Sequence, residues 1–208
     1  MILLNADNNL WKDNLWHAVN NADQTLFRVI NHEFASPFMD KAALAFREPK
    51  TWIPLYLFMA IFSIWKFKNR SWIWILLFIV TVTLSDQVSS HFLKNYFNRI
   101  RPCGDPLFSP YVRLVLGRCP TSASFTSSHA ANHFAMATFV ARTFKPFLFK
   151  WRFLFFIWAA IVSISQVYVG VHYPFDIVGG TLVGLFIGYL TSYFFIQKIG
   201  YPKQLQIN

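Results

Sequence analysis

The chain has 208 residues, of which 55% are hydrophobic, 19% aromatic and only 13% charged, and its mean hydropathy is +0.36. A soluble domain carries about a quarter charged residues, so this composition excludes an ordinary soluble globule and requires an integral membrane protein. The net charge of +10 would point to nucleic acid in a soluble protein. Here basic residues flank apolar runs, and no basic helix or aromatic-basic sheet accompanies them, so membrane topology accounts for much of the excess.

In chain order, Met1–Ala22 lacks the basic start and continuous apolar core of a signal peptide. From Asp23, Leu26, Phe27, Ile30 and Phe34 recur at helical spacing among Arg28, His32 and Glu33. Ser36–Phe46 again mixes apolar residues with Asp40 and Lys41. Charge at that density is costly in hydrocarbon, so residues 1–50 read as an interfacial segment with two short amphipathic helices.

Five spans are then predicted from apolar runs close to the ~20 residues that cross a bilayer. They run roughly Thr51–Phe67, Ser71–Phe97, Ser128–Phe144, Phe147–Gly170 and Pro174–Gln197. The last contains Gly180, Gly184 and Gly188, a small-residue ridge that permits close helix packing. The fold class is all-α: a polytopic membrane helix bundle of five transmembrane spans plus the amphipathic N-terminal helices. It forms one domain, with residues 51–197 as the bundle and 198–208 as a cytoplasmic tail. Trp52, Trp72 and Trp151 near span ends read as interfacial anchors.

Loop charge gives the orientation. Lys66, Lys68 and Arg70 join the first two spans, Arg142, Lys145, Lys150 and Arg152 surround the junction of the third and fourth, and Lys198 and Lys203 follow the fifth. Alternation puts all three clusters on one side, which the positive-inside rule makes cytoplasmic. The N-terminal segment, the Tyr96–Ser127 loop and the Val171–Tyr173 turn then face outward, to the periplasm in a bacterium. Cys103 and Cys119 share that outer loop, in a compartment that favours a disulfide.

Topology also gathers the polar residues on the outer side. Pro174 suits the first turn of a helix, which places His172 just outside the helix N-terminus and Asp176 inside its first turn. Asp176 can then accept from one ring nitrogen of His172 and leave the other free and nucleophilic. Alone, such a pair is better explained by a histidine capping a helix end. It is not alone: Lys94 and Arg101 end the second span, and Ser127 and His129 open the third. A helix N-terminus with fixed cations is a seat for phosphate, and two histidines supply a nucleophile and a proton donor. His129 and His133, four apart, also have a metal-ligand spacing, but the phosphate reading accounts for His129 without one. Asp86 and His91 are expected to support Lys94 through a polar network.

With these residues assembled, the chain resembles the type 2 phosphatidic acid phosphatase family, lipid phosphate phosphatases whose site is shared with vanadium haloperoxidases. The first family motif, K-x-x-x-x-x-x-R-P, is matched in full by Lys94–Pro102. The second, P-S-G-H, stands here as Thr126, Ser127, Ser128, His129. The third, S-R-x-x-x-x-x-H-x-x-x-D, is met by Ser165, His172 and Asp176, with Gln166 in place of the arginine. The resemblance covers about Ser71–Gly188.

It implies a metal-independent phosphatase in which His172 carries the phosphoryl group, Asp176 orients it and His129 protonates the leaving oxygen. Lys94, Arg101, Ser127, Ser128 and Gln166 would hold the phosphoryl oxygens, and no cofactor is expected. Glutamine donates a hydrogen bond but neutralises no charge; Arg99 is the other cation nearby, although its spacing does not fit the motif. Partners are the membrane lipid and an amphiphilic phosphate or pyrophosphate, with no nucleic acid and no obligate protein partner. Phosphatidylglycerophosphate, undecaprenyl pyrophosphate, lipid A and phosphatidic acid all fit a site at that depth. The alternatives are a catalytically weakened lipid-phosphate-binding relative, allowed by Gln166, and a transporter, which would need a polar path that the span centres do not show. A haloperoxidase-like oxidant is disfavoured because that chemistry in known relatives belongs to soluble proteins.

Overall fold

The computed structural model describes residues 17–201; the readings for residues 1–16, Lys203 and the rest of the tail lie outside the described residues. Every regular element in that range is helical. Helix α1 (residues 17–28) continues as a π-helical turn, Val29–Glu33, and α2 (Pro37–Arg47) follows. Ser36 caps α2 by accepting from the Met39 N–H, and Pro37 opens the helix where no intrahelical donor is needed. These are the two amphipathic helices expected at the N-terminus.

Helix α3 (Ile53–Phe67) turns through Lys68–Arg70 into α4 (Ser71–Asp86). A π-helical segment, Gln87–Leu93, then joins α4 to α5 (Lys94–Phe97). After the loop 98–127 come α6 (Ser128–Thr143), the short α7 (Lys145–Leu148), α8 (Leu154–Tyr168) and α9 (Pro174–Phe194). The fourth span, predicted from Phe147, is not one regular helix: α8 itself starts at Leu154. Phe149 has φ of 42° and a 3-10 turn occupies Phe149–Phe153, so the first apolar residues form a bend rather than helix.

Among the described residues, three continuous helical stretches are long and apolar enough to cross a membrane: Pro49–Gly104, Lys145–Tyr168 and Pro174–Ile199. The first contains both α3 and α4. Helix α6 falls outside this set, and burial explains its composition. It packs against α4, α8 and α9, and residues from Ala130 to Thr143 are largely removed from solvent. Polar His133, Thr138 and Thr143 therefore meet protein, not surroundings. The outward faces of α3, α4, α8 and α9 carry exposed Ile61, Trp65, Ile79, Ile157, Leu182 and Phe186, the pattern of side chains that contact lipid.

The α6–α9 contact depends on the glycine ridge. A Cβ on Gly180 would lie 2.5 Å from the Ser127 carbonyl oxygen, and one on Gly188 would lie 2.5 Å from that of Ala135. Helices this close gain dispersion and shape complementarity where lipid provides no hydrophobic drive. Trp74 stacks on Phe144 at 5.0 Å and donates to Thr143 Oγ1 at 2.9 Å, tying α4 to the C-terminus of α6. Arg70 donates to the Ile199 carbonyl at 2.6 Å, and Tyr201 donates to that of Arg142, so the basic turns gather at one end of the bundle.

Trp72 and Trp151 are exposed, as anchors should be, whereas Trp52 is wedged at 5.8 Å from Trp158 and donates to the Phe46 carbonyl. Its role is to fix α2 on α8. At the other end, buried Asn31 donates to the carbonyls of Tyr168 and Arg113 and accepts from the Arg113 N–H, stitching α1, the loop 98–127 and α8 together.

Candidate active site

The end opposite the basic turns holds the predicted site. Pro174 starts α9, and Asp176 Oδ2 accepts from the Tyr173 N–H at 2.8 Å, so the carboxylate caps its own helix. The same oxygen lies 3.4 Å from His172 Nδ1 and accepts from the Ser124 hydroxyl. On the opposite side of the ring, Arg101 Nη1 stands 3.1 Å from His172 Nε2. A guanidinium only donates, so Nε2 must carry the lone pair and Nδ1 the proton. Burial lowers the His172 pKa to about 4, against the bond to Asp176, which raises it. The imidazole is therefore neutral at neutral pH, with the lone pair of Nε2 beside a fixed cation.

Arg101 is itself clamped. Nε donates to the Ser122 carbonyl at 2.7 Å, Nη2 to the Ser122 hydroxyl at 3.0 Å, and Nη1 to the Val171 carbonyl at 2.9 Å. The loop thus closes around the arginine that motif matching singled out. Lys94 is buried at the start of α5, close enough to His129 and His172 for its charge to act on both. His129 sits in the first turn of α6 and lines an open cavity.

Ser127 and Ser128 are brought to the same place but are already committed to bonds. Ser127 is the N-cap of α6 through its hydroxyl, and its N–H donates to the Asp176 carbonyl at 3.1 Å, locking the two helix starts together. The Ser128 hydroxyl pairs with that of Ser90 at 2.7 Å. Phosphate would thus meet the backbone N–H groups of the first α6 turn, which have no intrahelical acceptor. Asp86 accepts from Ser90 and Asn132, forming the polar network foreseen beside Lys94. His91 is not part of it: the π-helical segment turns that residue outward, to an exposed position.

Gln166 is fully buried, donates to the Val162 carbonyl of its own helix at 3.2 Å, and leaves Oε1 without a partner. None of its hydrogen bonds goes to Lys94, Arg101, His129 or His172. Because the amide makes no bond outside α8, Gln166→Arg should retain or raise turnover. A folded variant with a tenfold or greater loss would show that the glutamine is a working feature. His133 bonds through Nδ1 to the His129 carbonyl and packs on Trp158 at 4.9 Å. Among the described residues no group of three or more His, Cys, Asp or Glu is arranged to hold a metal.

Two contributors, Arg99 and Asp23, lie outside the residues that the three motif patterns specify. Arg99 bridges two fully buried carboxylates, with Nη1 at 2.7 Å from Asp176 Oδ1 and Nη2 at 2.6 Å from Asp23 Oδ2. Its planar fork also lies over Tyr173 at 4.2 Å. Asp23 accepts in addition from the Phe175 N–H at 2.9 Å, and burial pushes its pKa above the usual carboxylate range. Left-handed Asn98, with φ of 43°, ends α5 and turns the chain inward to bring Arg99 there. Both arms of the Arg99 fork are therefore taken by carboxylates, Asp176 and Asp23.

Cys103 and Cys119 form a disulfide, with Cα atoms 5.7 Å apart and a sequence separation of 16. A loop of that length gains roughly 3 kcal/mol from closure. Replacing both cysteines by serine should lower the melting temperature and raise KM more than it lowers kcat, because the loop holds Arg101. Unchanged melting and kinetics would show that the loop is ordered by other contacts.

Helices long and apolar enough to cross a membrane thus carry, at one end of the bundle, a histidine–carboxylate pair beside buried cations. Residues 72–199 match the family model of the PAP2 superfamily, and the chain belongs to that family. It is 34% identical over 171 residues to a lipid A 4'-phosphatase of Bacteroides thetaiotaomicron, covering 79% of this chain and 72% of that one. A second lipid A 4'-phosphatase, from Porphyromonas gingivalis, is 31% identical over 180 residues, covering 85% and 72%. The crystal structure of a PAP2-type phosphatidylglycerolphosphate phosphatase from Bacillus subtilis superposes with a TM-score of 0.61 at 23% identity, covering 85% of this chain and 86% of that one. That likeness shows the shared fold.

Proposed function

We propose that this protein is an integral-membrane lipid phosphate or pyrophosphate phosphatase that works through a phosphohistidine at the outer, periplasmic face of a bacterial inner membrane. The enzyme class follows from family membership. The observation that carries the mechanism is the neutral His172 ring held between Arg101 and Asp176. His172 Nε2 attacks phosphorus as the bond to the leaving oxygen breaks, and His129 gives that oxygen a proton. Water then attacks the phosphohistidine, His129 takes a proton from the water, and phosphate leaves with the imidazole neutral again. Lys94, Arg101 and the first α6 turn stabilise the charge that develops on the phosphoryl oxygens, and Asp176 keeps the Nδ1 proton in place.

Five passes fit the helices: α3, α4 with α5, α6, α8 and α9, with α6 enclosed by its neighbours so that its polar residues never meet lipid. The basic end lies in the cytoplasm and the site outside. Such a site suits an amphiphile whose phosphate stays wet while its chains remain in lipid, and the names of the two similar lipid A 4'-phosphatases support a substrate of that kind. The test is phosphate release from a panel of lipid phosphates by purified protein in EDTA. Release is expected to persist, because the fixed cations already supply the stabilisation. No release from any amphiphile would leave only a lipid-phosphate-binding relative, and a loss restored by one divalent ion would overturn the metal-free mechanism.

A further inference from the structure

Beside His129 the surface opens into a cavity of about 980 Å³. Its wall carries polar groups: Ser122, which also holds Arg101, lines it together with His129, Thr51 and Glu48. Two arginines belong to this wall and come from different elements. Arg47 is the last residue of α2, and Arg118 immediately precedes Cys119 of the disulfide.

Among the described residues neither arginine makes an ion pair. One carboxylate, Glu48, shares the wall with them. Arg47 is partly buried and lies close enough to His129 and Arg101 for its charge to act on both. The Glu48 charge acts on Arg47, but with no carboxylate at ion-pair distance this half-buried guanidinium keeps its donors for an anion. Nothing in the phosphoryl-transfer step uses either residue.

Size selects the ligand. Small-molecule pockets run from about 300 to 1,000 Å³, and this cavity lies near the top of that range. A single phosphate already held by Lys94, Arg101 and the α6 N-terminus leaves most of it vacant. A phosphorylated saccharide would fill it, with its hydroxyls against Thr51 and Ser122.

We propose that Arg47 and Arg118 form a second anion subsite, which seats a further phosphate of the substrate headgroup while the scissile phosphate lies against His172. The substrate class is then an amphiphile with two phosphates, and the cavity favours two phosphates separated by sugar over a pyrophosphate. The inference rests on the phosphatase reading of the site. It also gives the disulfide a second role, that of holding Arg118 at the cavity wall.

The test compares wild type, Arg47→Ala, Arg118→Ala and Arg47→Lys on three amphiphiles in mixed micelles. These are phosphatidic acid, a polyprenyl pyrophosphate and an acylated glucosamine disaccharide phosphorylated at both ends. Each alanine variant should raise KM for the disaccharide lipid about tenfold, the scale of one lost charge-assisted contact. kcat and the KM for phosphatidic acid should change by less than about threefold, and Arg47→Lys should restore most of the affinity. A KM effect on the pyrophosphate instead would keep the subsite and place the second phosphate adjacent to the first. Equal losses on phosphatidic acid, or no loss on any substrate in variants with wild-type melting, would overturn the proposal. If wild type hydrolyses none of the three, the phosphatase reading fails separately. Binding of the two-phosphate lipid to wild type and Arg47→Ala in nanodiscs then decides the subsite by the same tenfold difference.

Discussion

His172→Ala should reduce turnover to background, a loss of at least about 10³–10⁴-fold, with little change in melting temperature. The ring has 3% of its surface exposed and is held by polar contacts to Arg101, Asp176 and Ser124, not by the aromatic core. Its removal deletes the proposed attacking atom and leaves Lys94, Arg101 and the start of α6 in place, so lipid phosphate should still bind. Acid-labile phosphate trapped on the wild type by rapid quench should be absent from the variant. Substantial turnover by purified, folded His172→Ala would transfer the nucleophile's role to another group.

The same residue sets a pH signature. A protonated His172 has no lone pair to attack with, and burial lowers its pKa to about 4. Phosphohistidine formation at His172 should therefore persist below the ordinary histidine value of about 6.5 and fall only as pH approaches 4. Linkage has the same sign. The unfolded chain takes up this proton near 6.5 and the folded chain does not, so the contribution to stability is complete above 6.5 and is lost as pH falls through that window. A quench-flow pH series that loses the trapped phosphate already near 6.5 would show that the ring is solvated in the working enzyme.

Much of this was legible in the sequence, for identifiable reasons. Apolar runs located α3, α4 and α9 because lipid leaves a helix no other way to satisfy its backbone, although the run that holds α4 hid its break at Asp86. Ser127 and Pro174 marked helix starts through local chemistry that needs no tertiary knowledge. The Lys94–Arg101 and His172–Asp176 spacings survive in three dimensions because each lies within or beside one helix end. What stayed hidden depends on contacts distant in the chain or on backbone atoms. Arg101 is gripped by the carbonyls of Ser122, Ala123 and Val171, and a carbonyl has no side-chain signature. Arg99 meets Asp23 across 76 positions, from a helix that reads as merely interfacial. Gln166 looked like a phosphate ligand because of its motif position, yet its amide turns back onto Val162. Composition also hid the reason α6 tolerates polar residues, since only packing shows that α4, α8 and α9 enclose it.

Arg99→Ala should be the most damaging change outside the reacting groups. It strands two carboxylates, Asp23 and Asp176, both at 0% exposure. Removing one partner of a buried pair costs about 3–5 kcal/mol, and Asp23 is then left with the Phe175 N–H. Stability loss alone would not establish a positioning role, so the kinetic effect must be separated from it. Asp176 without Arg99 is held on Oδ2 by Ser124, Tyr173 and His172 but is free on Oδ1. The carboxylate can then pivot, and misplacement of this order costs about 10²-fold in rate. kcat should fall while KM stays within a few-fold, because the phosphate cradle is untouched. The double variant Asp23→Asn/Arg99→Gln removes one charge of each sign and should recover much of the lost stability, yet it still leaves Asp176 without its cation. Its kcat should therefore remain low even when its melting temperature returns toward wild type. If the double variant regains wild-type kcat together with its stability, Arg99 serves the fold alone, and Asp176 is positioned by its other partners.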